Sequence, residues 1–70
     1  MFTEQENSAP VSAGAVYDIK IEGIAREGDG IGKVEGFVIF VPGTKVGDQV
    51  TVKIERVMRE FAIAALAEKN

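Results

Sequence analysis

Residues 26–43, REGDGIGKVEGFVIFVPG, hold five of the chain's eight glycines together with Arg26 and Lys33. Glycine-rich loops beside a lysine bind phosphates through backbone N–H groups, so a nucleotide site is the first chemistry to test. A Walker loop requires Gly, four spacers, then Gly-Lys and a hydroxyl residue for Mg²⁺. Gly32-Lys33 supplies the closing pair, but Glu27 stands where the first glycine belongs and Val34 where the hydroxyl belongs. The dinucleotide fingerprint fails as well, its third glycine falling on Lys33 when counted from Gly28 and on Glu35 when counted from Gly30. Both motifs further need a parallel sheet feeding a helix, and the pattern around this run supplies neither. The glycines therefore read as turn formers between short strands.

Catalysis finds no better footing. The chain has no histidine and no cysteine, which removes the usual zinc ligands and the usual nucleophile–base pairs. Ser8 and Ser12 lie in a polar segment with no base nearby. The carboxylates sit on outward positions of alternating strands, without the enclosed pocket that drives two pKa values apart. The expectation is a protein that is not an enzyme, with no catalytic residues, no metal, no cofactor and no small-molecule substrate.

What remains is aromatic and basic. Phe37, Ile39 and Val41 share one face of a strand and Val38 and Phe40 the other, so a small core leaves at least one ring looking outward. Phe40, next to the Pro42-Gly43 turn, is assigned to the core and Phe37, near Lys33, to the surface. Arg26, Lys33 and Lys45 lie in or beside the loops around the glycine run, and Arg56 and Arg59 bracket a hairpin that leads into Phe61. A ring amid Arg and Lys has the make-up of a face for single strands: bases stack on it at about 1–3 kcal/mol each while cations hold phosphates. The net charge of −3 and a sequence pI near 4.8 oppose this, although Glu4 and Glu6 of the N-terminal segment carry part of the excess. The alternative is a protein-interaction module that recruits partners through its acidic surface and apolar strand.

The elements that must position these residues are short. Residues 1–15 are polar and without apolar periodicity, and are expected to form a disordered tail. Tyr17, Ile19 and Ile21 alternate with Asp18, Lys20 and Glu22 as a half-buried strand, and Gly23 to Ala25 let it bend. Ile31–Val34 and Phe37–Val41 flank a tight Glu35-Gly36 hairpin turn in which glycine supplies a positive φ. Gln49–Arg56 alternates with Val50, Val52 and Ile54 on one face. FAIAAL, Phe61–Leu66, is too short to stand alone as a helix and reads as a closing strand. Five short strands in 16–67, followed by a tail at 68–70, predict an all-β domain: a small five-stranded antiparallel β-barrel of OB-like size. Closure would hide the edges of FVIFV and leaves little reason to dimerise, so a monomer is expected. No run of about 18 apolar residues crosses a membrane, and no signal peptide is visible, so a cytoplasmic location is expected.

The order of these motifs is itself informative. The EGDGIG loop, the GFVIFVPG strand and turn, the KVGDQVTVKI turn and strand and the final FAIAAL strand together resemble a TRAM domain over Tyr17 to Leu66. That family is a small five-stranded barrel appended to tRNA-modifying enzymes and found in archaea as a stand-alone protein. The resemblance implies non-catalytic RNA binding, to tRNA or single-stranded regions, and for stand-alone members RNA-chaperone activity, in some cases linked to cold. Carried onto matching positions, RNA contacts fall on Arg26, Lys33, Phe37, Lys45, Arg56, Arg59 and Phe61.

Overall fold

A computed structural model describes residues 10–67. Its described part is all β, six strands in one sheet: β1 (Val16–Lys20), β2 (Gly23–Ile24), β3 (Gly30–Val34), β4 (Phe37–Val41), β5 (Gln49–Val57) and β6 (Phe61–Leu66). The spatial order is β1-β5-β6-β4-β3-β2. Two features depart from the expected antiparallel five. Gly23–Ile24, expected only to bend, pairs with β3 as a strand of its own, and β4 pairs with β6 in parallel while every other pairing is antiparallel. The parallel pair arises because β5 crosses back between β4 and β6 in sequence and hairpins directly into β6.

The sheet's two outer members are neighbours in the chain. Between β1 and β2, Ile21 donates its amide to the Asp48 carbonyl at 2.8 Å and accepts from the Gly47 amide at 2.9 Å, while Glu22 donates to the Ile31 carbonyl at 2.7 Å. One bent segment thus serves β5 with its first half and β3 with its second. The sheet curls toward itself, and that curl decides which side chains fit inside.

Inward positions alternate large and small across neighbouring strands, the solution expected where a small barrel interior tapers. Ile39 pairs with Gly32 on one side and Ala62 on the other, Val41 pairs with Gly30, and Ile54 pairs with Ala64. All of these are buried, with Ile19, Ile21, Val52 and Val11 completing the core. The alternations of β1 and β5 therefore hold as expected, with Ile19, Ile21, Val52 and Ile54 inside. A bulge between Ile54 and Arg56 adds one residue to β5, so that Val57 rather than Arg56 packs against the core.

The core begins earlier in the chain than the alternation at Val16 suggests. Val11, taken with the polar tail on composition, is 4% exposed in the core. Gly14 donates to the Ile54 carbonyl at 2.7 Å, and Ile54 donates to the Ala15 carbonyl at 2.9 Å. An isolated valine among Ser, Ala, Pro and Gly carries no periodicity, so its burial could come only from the tertiary fold. The remainder of the expected tails, residues 1–9 and 68–70, lies outside the described residues.

Two kinds of glycine shape the fold. Gly28, Gly36, Gly43 and Gly47 have positive φ and turn the chain as expected. Gly30 and Gly32 do not: they are buried inside β3, where neighbouring side chains leave no room for a Cβ. At the β3–β4 hairpin the residue before the glycine is left-handed too, with φ 52° at Glu35 and 83° at Gly36. Two positive φ values in a two-residue loop are those of a type I′ turn, which favours Asn-Gly, and a left-handed conformation costs an ordinary L-residue about 1–2 kcal/mol. Glu35 is exposed. Glu35→Asn is therefore expected to stabilise the domain by about 1 kcal/mol, read as a rise of roughly 4–8 °C in Tm. An unchanged or lowered Tm would contradict the turn assignment.

Candidate nucleic-acid interface

The outward face of the sheet is where the fold places its spare apolar residues. On β6 the small residues Ala62 and Ala64 are buried, while Phe61, Ile63 and Ala65 point outward. Pairing carries this face across the sheet: Val38 is opposite Phe61, Phe40 is opposite Ile63, and on the far side of β4 Ile31 is opposite Phe40. Ile31, Val38, Phe40, Phe61 and Ile63 are thus turned outward and half-buried, while β6 places alanine and β3 places glycine on the inside. A sheet that needed only stability would bury the larger residues.

Phe40 and Phe61 meet edge to face, with ring centroids 5.3 Å apart and planes at 77°. This is a favoured aromatic geometry that fixes both rings against each other. With Ile63 they floor a shallow cleft of about 340 Å³ whose rim carries Arg26, Glu27 and Asp29. The rim is built by the β2–β3 loop. Ala25 donates to the Asp29 carbonyl and Gly28 to the Ala25 carbonyl, both at 2.8 Å, and left-handed Gly28 closes the turn. Arg26 and Glu27 are held at its tip, and Asp29 follows the outward parity of β3 that continues through Ile31 and Lys33.

Cations line the flanks of this face. Lys33 pairs with Val38 on one side, and on the other Arg56 pairs with Ile63 and Lys53 with Ala65. All three side chains are exposed. A hydrophobic, aromatic centre with lysine and arginine on both borders suits an unpaired strand, with bases on the rings and backbone along the edges. Among the described residues no cluster of three or more His, Cys, Asp or Glu is placed to hold a metal ion, and no helix is long and apolar enough to cross a membrane.

The residues singled out from the sequence are distributed unevenly. Arg26 and Phe61 line the cleft, and Lys33 and Arg56 lie opposite Val38 and Ile63 on the strands either side of the outer face. Arg59 is exposed in the β5–β6 turn just before Phe61. Lys45 sits apart in the β4–β5 turn, where its amide donates to Asp48 Oδ2 at 3.1 Å and the Asp48 amide returns a bond to its carbonyl. The assignment of the two rings on β4 is reversed. Phe37 shares the inward face with Ile39 and Val41 and packs against the core, half-buried, whereas Phe40 is on the outer face. Alternation correctly requires one ring outside, but parity alone does not say which. Pairing decides it: Ile39 and Val41 lie opposite Gly32 and Gly30, whose inward positions are packed by Ile19, Ile21 and Thr44, so the odd-numbered face of β4 is the inner one. Phe40, Ile63 and Lys53 are additions to the site. The signal for them was present as small residues spaced by two, Gly30-Gly32 and Ala62-Ala64, marking the inward face of two strands.

Comparison with known proteins agrees with this architecture. The family model described as TRAM domain matches residues 10–67, so that its span includes the buried Val11. The chain is similar to MJ0660, an uncharacterized protein of Methanocaldococcus jannaschii, at 49% identity over 61 residues, covering 87% of this chain and 79% of that one. It is similar in structure to the conserved protein from the MMP0076 locus of Methanococcus maripaludis, solved in solution, with a TM-score of 0.82 at 39% identity and 87% of each chain covered. It is also 37% identical to part of a ribosomal RNA large subunit methyltransferase E from Methanothrix thermoacetophila, covering 89% of this chain but spanning only 24% of that protein's length.

Proposed function

Since the chain belongs to the TRAM domain family, we propose that it binds RNA, tRNA or single-stranded regions, through the outer face of β3, β4 and β6, and acts on that RNA without catalysis as a chaperone. The observation that carries this reading is the inversion on β6, where alanines are buried and Phe61 and Ile63 are spent on the outside beside Phe40. Phe40 and Phe61 stack bases, Lys33, Lys53 and Arg56 hold the backbone, and Arg26 and Arg59 add charge at the two ends of the face. Lys45 is peripheral and Phe37 structural. A relative that carries this segment as a quarter of its length is named for methylating ribosomal RNA, which supports an RNA partner for the segment.

Chaperone action follows from weak, sequence-tolerant contacts. A face of this size captures a strand that has transiently opened, delays its re-pairing and lets it go, with no need of ATP. Few contacts imply a shallow salt dependence: neutralising about three phosphates on a single strand gives a slope of log K against log salt of about −2. Affinity of a short unstructured RNA measured from low to high salt checks this, and a slope near −4 or steeper would require contacts well beyond this face.

The direct test is an amide NMR titration with the same RNA at low and high salt. Shifts clustered on Arg26, Lys33, Phe40, Arg56 and Phe61 to Ala65, fading as salt rises, are expected. A spectrum unmoved by millimolar RNA would turn the same apolar face into a docking surface for protein.

A further inference from the structure

The rim of the cleft carries a feature that backbone binding does not account for. Two of its three charged side chains, Glu27 and Asp29, are carboxylates. They repel phosphate, so the cleft is a poor place for the backbone of the strand that the proposed function brings there. A carboxylate has acceptors only, two coplanar oxygens side by side, and is satisfied by a ligand that presents two adjacent donors.

Among the four RNA bases this requirement is selective. Guanine presents N1–H and N2–H₂ next to each other on its Watson–Crick edge. Cytosine and adenine each present one amino group beside a ring-nitrogen acceptor, and uracil presents one N–H between two carbonyls, so each of these sets a lone pair against the carboxylate. The third rim group fits the same base, since the Arg26 guanidinium can donate to guanine O6, adjacent to N1. The Phe40 and Phe61 rings at the floor supply the stacking surface.

We propose that this cleft is a base-selective subsite for an unpaired guanine, with Asp29 accepting from N1–H and N2–H₂ while one of the two perpendicular rings, Phe40 or Phe61, stacks on the base and the other packs against its edge. Asp29 is assigned over Glu27 because it is half-buried at the root of β3, behind the hydrogen-bonded turn, whereas Glu27 is exposed at the tip. The proposal rests on the reading of this face as an RNA interface, and it makes the acidic residues near the glycine run part of recognition.

The test uses the whole chain and five-nucleotide RNAs of sequence UUXUU, with X as guanine, inosine, adenine, cytosine or uracil. The guanine oligomer is expected to bind about 10-fold more tightly than the uracil one, a low value for a bidentate pair because the cleft is open to water. Inosine, which keeps N1–H but lacks the amino group, falls between. Asp29→Asn is expected to remove the guanine preference while leaving uracil-oligomer binding within about 2-fold. Equal binding of all five oligomers would overturn the selectivity and leave the RNA interface standing; no binding of any would overturn both. Asp29→Asn tightening every oligomer equally would show a carboxylate that only repels. Loss of the preference with Glu27→Gln but not with Asp29→Asn would overturn the assignment to Asp29.

Discussion

Phe40→Ala and Phe61→Ala are each expected to weaken binding of a short unstructured RNA by roughly 5- to 150-fold, the range that loss of about 1–3 kcal/mol of stacking gives. Both rings lie on the outer face, so removal of either opens no cavity in the core and the domain is expected to stay folded, with an unchanged backbone spectrum away from the cleft. Their effects are not expected to add. The rings brace one another edge to face, and taking one away frees the other to turn. The double variant should therefore lose less than the sum of the two. Phe37→Leu is the internal control. That ring is on the inner face, packed against the core, so the exchange is expected to lower Tm while RNA affinity stays within about 2-fold. If Phe37→Leu abolished binding and Phe40→Ala did not, the face assigned to RNA would be the wrong one.

Gly30→Ala is expected to be the most destabilising single methyl in the molecule, at about 2–3 kcal/mol, or a fall of roughly 10–20 °C in Tm. The added methyl would collide with the Thr44 hydroxyl and stand 3.1 Å from both Thr44 Cβ and Ile21 Cγ2. Thr44 is the buried polar residue of the described core, and its hydroxyl donates to the Val41 carbonyl at 2.9 Å. Since Val41 is the strand partner of Gly30, the methyl would displace a hydrogen bond that ties the end of β4 to its own turn. Thr44→Ala alone is expected to cost about 1 kcal/mol, the worth of one buried hydrogen bond. In the double variant Gly30→Ala with Thr44→Ala the obstructing hydroxyl is gone, and most of the loss is expected to be recovered. Additive losses measured by thermal or urea unfolding would show that the two sites do not share the space assigned to them. Gly32→Ala follows the same logic at smaller cost, because Ile19 Cδ1 at 2.8 Å is a side-chain end that can swing, although the Lys20 carbonyl at 3.0 Å is backbone and cannot.

Glycine content thus has two meanings in this chain, and they mark what a sequence can and cannot say about it. Turn glycines announce themselves by their neighbours: Glu35-Gly36 between two apolar runs, Pro42-Gly43 after one, Gly47-Asp48 before another. Strand alternation is equally local, and the inward faces of β1 and β5 can be read from Ile19, Ile21, Val52 and Ile54 without any structure. The final FAIAAL strand could be told from a helix by its length and by the turn before it. The order of these motifs was enough to identify the family, and with it an RNA partner as the expectation.

Parity is where local reading ends. For a strand such as FVIFV, apolar at every position, both faces satisfy the same pattern, and the choice between Phe37 and Phe40 depends on what stands across from each. Gly32 beside Ile39 and Gly30 beside Val41 come from the adjacent hairpin strand, but Ala62, on the other side of Ile39, comes from β6, which only the tertiary fold brings to β4. The same holds for Val11, which only the folded core buries, and for the two-residue β2, which exists because β3 offers it a free edge. By itself the sequence determined five of the six strands and most of their turns. Tertiary pairing alone decided which aromatic rings face the solvent, because a side chain's direction in a uniformly apolar strand is set by the space its neighbours leave and not by its own type.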